Sequence, residues 1–121
     1  MPIHELIVIG TVFLLALIDY ITGVVNAIMH GELSSERMRQ GLGHKFAYVA
    51  VISVALIVEY GSGYINLGIE LPVFIPVCVS IFLIEITSIM ENCEKINPEL
   101  SDSNILNIFN IDRKADNEEQ D

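Results

Sequence analysis

The fold is decided by residues 6–28, which read LIVIGTVFLLALIDYITGVVNAI and contain one charged side chain, Asp19. A helix needs roughly 20 mostly apolar residues to cross a hydrocarbon core about 30 Å thick, so this segment is long enough to span a bilayer. Two further segments have the same character. They are residues 46–67, in which Glu59 is the one charge, and residues 71–90, in which Glu85 is. The sequence therefore predicts three transmembrane helices.

The distribution of charge supports this prediction. The chain has 121 residues, 52% of them hydrophobic, and 22 charged side chains, of which the 65 residues of the three segments hold three and the other 56 hold 19. A soluble domain scatters its charges to cover its surface. The fold class is accordingly all-α, a polytopic membrane protein with a transmembrane domain over residues 1–92 and an acidic tail over residues 93–121.

Two connections follow from the same segments. Only residues 68–70 separate the last two spans, which predicts a tight hairpin, with Pro72 in the first helical turn and Pro76 one turn in, where it could kink the helix. The tail is predicted to be short and either amphipathic, over residues 101–111, or disordered.

The connection over residues 29–45 is predicted to be a loop, with Ser34 or Ser35 capping a short interfacial helix through residues 36–40. It contains the cations that should anchor it at the membrane surface: Arg37, Arg39 and Lys45. The turn at residues 68–70 has no Lys or Arg. By the positive-inside rule the first connection and the C-terminus are cytoplasmic, and the N-terminus is outside.

The carboxylates inside the spans are the most informative feature, because no span contains a Lys or Arg to pair with them. A central ionised Asp costs roughly 2.5 to 3.5 kcal/mol on insertion scales, and such groups usually face the interior of a bundle or water. Helical spacing places each carboxylate on a polar stripe. The stripes comprise Asp19, Thr22, Gly23, Asn26 and His30 in the first span, Ala55, Glu59, Ser62 and Asn66 in the second, and Cys78, Glu85, Ser88 and Asn92 in the third.

Two roles are open for these stripes. They could be interhelical contacts, in which small residues permit close approach and carboxyls hydrogen-bond across the interface. They could instead line water in an oligomer, with the acids hydrated and ionised. One residue could do both, in a closed and an open assembly.

Other classes of function find little support. Six basic residues without a stripe among them argue against nucleic-acid binding. No cysteine or histidine spacing predicts a metal site, and no catalytic or nucleotide-binding motif is present, so we expect neither an enzyme nor a cofactor.

The order of motifs resembles a known family. These motifs are Asp19-Tyr20-Ile21-Thr22-Gly23, then Gly31-Glu32-Leu33-Ser34-Ser35, then Arg39-Gln40-Gly41 with Lys45, and finally Glu85-Ile86-Thr87-Ser88-Ile89-Met90-Glu91-Asn92. Together they are similar to the bacteriophage holin family that includes the toxin-secretion and phage-lysis holins of Gram-positive bacteria. The resemblance covers roughly residues 5–100.

This resemblance implies a multi-pass protein of the bacterial cytoplasmic membrane that forms homo-oligomers and, at a set time, opens lesions. The lesions release a phage endolysin or a toxin, without implied direct binding, and the partners are the lipid bilayer and further copies of the chain. Two alternatives stay open: a small membrane adaptor or regulator that leaves the membrane sealed, and a small cation channel subunit.

Overall fold

The computed structural model describes residues 2–65 and 71–102, and three long helices account for most of them. Helix α1 comprises Ile3–Met29, α2 comprises Ser35–Ile65 and α3 comprises Phe74–Ile96, followed by a short 3-10 turn at Pro98–Asp102. All three are long and apolar enough to cross a membrane. The described part of the chain is thus all-α and polytopic, as the sequence predicts.

The connection between α1 and α2 is short and tightly bonded. Gly31 adopts a φ of 65°, which favours glycine. Its N–H donates to the carbonyl of Ile28 at 3.2 Å, and the N–H of Glu32 donates to the carbonyl of Ala27 at 2.8 Å. This is the Schellman arrangement that closes a helix C-terminus. Helix α2 begins four residues after Gly31, at Ser35.

The predicted loop over residues 29–45 is wrong in its second part, because α2 begins at Ser35 and includes Arg37, Arg39 and Lys45. The predicted cap is correct: Ser34 Oγ accepts a hydrogen bond from the N–H of Arg37 at 3.1 Å. Gly41 and Gly43 disfavour a helix in isolation, yet both lie within α2, where Gly41 contacts α1. A Cβ at Gly41 would lie 3.4 Å from Cε2 of Tyr20 on α1.

The predicted kink at Pro76 has no basis in the hydrogen bonding. Helix α3 begins at Phe74, so Pro72 precedes it and Pro76 lies in its first turn. The first turn of a helix has free N–H groups in any case, so a proline there removes no intrahelical bond. The turn at residues 68–70 and the tail segment at residues 103–121 lie outside the described residues.

The three helices form an up-down-up bundle. Helix α1 packs mainly against α3, and α2 lies against this pair with fewer contacts. The hydrophobic core contains residues from all three helices and comprises Val12, Ile52, Phe74, Cys78 and Ile81. Most other large apolar side chains point outward, as expected where the surrounding solvent is lipid.

Candidate functional site

The inward face of α2 follows a regular spacing of three and four residues. Glu59 and Ser62, predicted for the polar stripe, belong to it, and all of its members are buried or half-buried. This face extends about four turns toward the N-terminus of α2 beyond the predicted stripe. It comprises Gly41, Lys45, Tyr48, Ile52, Ala55, Glu59 and Ser62. Lys45 therefore lies between the helices.

Lys45 joins the carboxylates of the two other helices. Its Nζ lies 2.5 Å from Oδ2 of Asp19 on α1 and 2.5 Å from Oε2 of Glu85 on α3. The Lys45 ammonium also lies 5.4 Å from the ring centroid of Tyr48, within the range of a cation–π contact. We refer to Asp19, Lys45 and Glu85 as the charged triad.

The triad corrects the expectation that the carboxylates lack a basic partner. The error arose because the predicted second span begins at residue 46, one position after Lys45. The signal was present in the sequence, because extending the stripe of Ala55 and Glu59 backward at helical spacing reaches Lys45. Arg37 and Arg39, by contrast, are exposed on the first turns of α2.

The triad is sheltered from solvent. The Glu85 side chain is 1% exposed, Asp19 12% and Lys45 18%. When all three groups are ionised, the triad has one more negative charge than positive. Such a group is stable only where charges are paired and hydrogen-bonded, because an unpaired ion in a low-dielectric surrounding is very costly.

Asn92, about two turns after Glu85 on α3, joins α3 to α1 at the triad member Asp19. Its Nδ2 donates to Oδ1 of Asp19 at 3.2 Å, to the Asp19 carbonyl at 3.3 Å and to Oγ1 of Thr22 at 3.1 Å. Gly23 of α1 also lies at this contact between the two helices. A Cβ at Gly23 would lie 3.6 Å from the same nitrogen. The predicted stripes of α1 and α3 thus meet each other.

Glu59 lies at the opposite end of the bundle, away from the triad. Its Oε1 accepts a hydrogen bond from the N–H of Phe74 at 3.4 Å, so a carboxylate of α2 lies at the N-terminus of α3, where negative charge is favourable. Nearby, the hydroxyl of Tyr60 donates to Oε2 of Glu5 at 2.6 Å. These contacts fix the antiparallel register of α2 against its neighbours.

The other residues predicted for the polar stripes differ in their burial and in their contacts. Ser62 is buried but donates within its own helix to the Glu59 carbonyl, and Ser88 is half-buried beside a cavity. Asn26 also lines that cavity. His30 is exposed and is therefore not part of an inward stripe. Asn66 lies outside the described residues.

The connection between α1 and α2 has its own ion pair. Nη1 of Arg37 lies 2.8 Å from Oε2 of Glu32, and both side chains are exposed. The hydrogen bond and the charge of Arg37 lower the pKa of Glu32 below its ordinary value of 4.5. Among residues 2–65 and 71–102, no group of three or more His, Cys, Asp and Glu side chains could hold a metal ion.

Comparison with known proteins gives one result that covers most of the chain. The bacteriophage holin family matches residues 5–108. No curated protein and no solved structure matches the chain. The matched range includes α2, α3, all but the first two residues of α1, and every member of the triad. The chain therefore belongs to the bacteriophage holin family.

Proposed function

We propose that this protein accumulates in the bacterial cytoplasmic membrane as a closed three-helix bundle, oligomerises, and opens timed lesions that release a phage endolysin or a toxin. The observation that supports this proposal most directly is the charged triad. Two carboxylates and one ammonium are held between three helices that are long and apolar enough to cross a membrane. The holin family is not an enzyme family, and a change in permeability needs no catalytic group.

The ion pairs of the triad explain how the three helices of the closed bundle are held together. In lipid, the excess negative charge is tolerable only while Lys45 remains between Asp19 and Glu85. Helix α2 supplies that lysine, and it has fewer contacts with α1 and α3 than these two have with each other. We therefore propose that opening moves α2 away from the pair of α1 and α3, because this contact is the weakest in the bundle.

Oligomerisation provides an environment in which the carboxylates of Asp19 and Glu85 stay ionised after they separate from Lys45. When several chains associate with their polar faces toward a common centre, water enters and hydrates Asp19 and Glu85. Ionised carboxylates in contact with water no longer require a lysine partner. The same side chains thus hold the closed chain together and line the open assembly.

The proposed orientation places the connection between α1 and α2 in the cytoplasm. Arg37, Arg39 and Lys95 lie at that end of the bundle. The opposite end, among the described residues, presents Glu5, Tyr60 and Tyr64 and no Lys or Arg. The positive-inside rule therefore favours a cytoplasmic C-terminus and an external N-terminus.

Inducible expression in a bacterial host tests the function. After induction, the uptake of a membrane-impermeant dye and the release of a co-expressed cytoplasmic endolysin are followed together. The proposal predicts an abrupt onset of both after a delay. A sealed membrane at full expression would favour an adaptor, and ion flux without passage of endolysin would favour a small cation channel; either outcome contradicts the proposal.

A further inference from the structure

A polar cavity of about 380 Å³ opens beside the triad, at the end of the bundle that carries the connection between α1 and α2. Asp19 and Lys45 form its inner part, and Arg37, His44 and Lys95 also line it. All three helices contribute to its wall. Its volume lies within the range of small-molecule sites, which is roughly 300 to 1,000 Å³.

The lining of this cavity has the opposite charge to the rest of the chain. It includes three of the six Lys and Arg residues of the sequence but only one of the sixteen Asp and Glu residues. Glu85 and Glu32, which pair with Lys45 and Arg37, do not line the cavity, so its wall itself presents mostly cations. A wall of this kind favours an anionic ligand.

Two of the three cations are available at the rim. Lys45 is committed to the triad, but Lys95 has no ion pair among residues 2–65 and 71–102. Arg37 has its pair with Glu32 on the exposed surface, where such pairs are weak and exchange readily. The guanidinium and the ammonium are the groups that proteins use most often to bind phosphate.

Asn26 adds a second and independent requirement. Asn26 lines the same cavity, and its Oδ1 is buried and has no hydrogen-bond partner within the described residues. Buried polar atoms are nearly always bonded, and an isolated acceptor calls for a donor from a ligand or from water. The ligand that fits both requirements is an anion that also has a hydroxyl or N–H donor.

The position of the cavity indicates where such a ligand comes from. Its α1 wall belongs to the last three turns of that helix, and Lys95 lies one residue before the end of α3. For a bundle that spans a membrane, this is the level of the lipid headgroups. Basic pockets between helices at this level bind anionic headgroups in other membrane proteins.

We propose that this cavity binds the phosphoglycerol headgroup of an anionic phospholipid. Arg37 and Lys95 contact the phosphate at the rim, and the Asn26 side chain turns so that its Oδ1 accepts a hydrogen bond from a glycerol hydroxyl. Because the cavity is built from all three helices and borders Lys45, a bound headgroup holds α2 against α1 and α3. The lipid thus stabilises the closed bundle.

Native mass spectrometry of the purified full-length protein in detergent tests the proposal. The probes are phosphatidylglycerol, phosphatidylcholine and phosphatidic acid with identical acyl chains, and free glycerol phosphate. We expect one phosphatidylglycerol to remain bound per chain, phosphatidic acid to bind more weakly because it lacks the hydroxyl donor, and phosphatidylcholine not to be retained. Equal retention of phosphatidylglycerol and phosphatidylcholine, or displacement of the lipid by an equal concentration of glycerol phosphate, would overturn it.

Matched variants identify the site. Lys95→Gln should lower the affinity for phosphatidylglycerol about tenfold, as expected for the loss of one charge-assisted contact. Asn26→Leu should abolish the preference for phosphatidylglycerol over phosphatidic acid. Arg39→Gln removes the same charge from an exposed position that does not line the cavity, and it should bind as the parent does. If Lys95→Gln and Arg39→Gln lower the affinity equally, the lipid binds by general surface charge and the assigned site is wrong.

Discussion

Lys45 Nζ on α2 lies 2.5 Å from Oε2 of Glu85 on α3, although the two residues are 40 positions apart in the sequence. This contact joins the helix with the fewest contacts to the better-packed pair. It also pairs Glu85, the one charged residue that is buried among residues 2–65 and 71–102, with a cation. The stability of the closed bundle should therefore depend on it.

The substitution Lys45→Gln should lower the free energy of unfolding by about 3 kcal/mol, because it leaves a buried carboxylate without its ion partner. Chemical unfolding in detergent micelles measures the change. Adding Glu85→Gln to the same chain should restore part of the loss, since the uncompensated charge is then removed. Strictly additive effects of the two substitutions would show that the residues do not interact.

Asn92 should contribute to the association of α1 with α3. Replacing it by Leu removes its donated bonds to Asp19 and Thr22 and should cost about 1 to 2 kcal/mol in the same unfolding measurement. Ser80→Ala on α3 is the control, because that exposed hydroxyl donates only to the Pro76 carbonyl of its own helix. Equal losses for the two variants would contradict an interhelical role for Asn92.

The close approach of α1 and α3 at Gly23 predicts a difference between two glycines of the same helix. Gly23→Leu should force α1 away from Asn92 and destabilise the bundle by about 1 to 3 kcal/mol, as overpacking does. Gly10→Leu should be tolerated, because a Cβ at Gly10 would have nothing within 4 Å. Thermal unfolding of the two variants compares them directly, and greater loss at position 10 would disprove the assigned contact.

The ion pair of Glu32 with Arg37 predicts a pH dependence outside the spans. Because the folded pKa of Glu32 is lowered from 4.5, the contribution of the pair to stability is present above that value. It is lost as the pH falls through the folded pKa. Arg37→Gln should raise the pKa of Glu32 toward 4.5, as followed by NMR of its carboxyl carbon. Arg39→Gln should leave it unchanged, and a shift of equal size in this control would show that general charge, not the pair, sets the pKa.

The sequence predicted the three helices because apolar length alone determines which segments span a bilayer. It also predicted the polar face of α3, since Cys78 and Glu85 are buried at the expected spacing. It missed the partner of the carboxylates, because Lys45 lies beside glycines that favour a loop in isolation. In the structure Gly41 lies against Tyr20 of α1 and Lys45 lies between two carboxylates, and such tertiary contacts are not visible in a single sequence.

We propose that Lys45 keeps the bundle closed and that Asp19 and Glu85 are needed once it opens. This is tested by the time between induction and dye uptake, at equal amounts of membrane-inserted protein, for Lys45→Gln, Asp19→Asn, Glu85→Gln and the control Arg39→Gln. We expect early uptake for Lys45→Gln, delayed or absent uptake for Asp19→Asn and Glu85→Gln, and parental timing for Arg39→Gln. Parental timing of Lys45→Gln, or equally early uptake when either carboxylate is replaced, would contradict it.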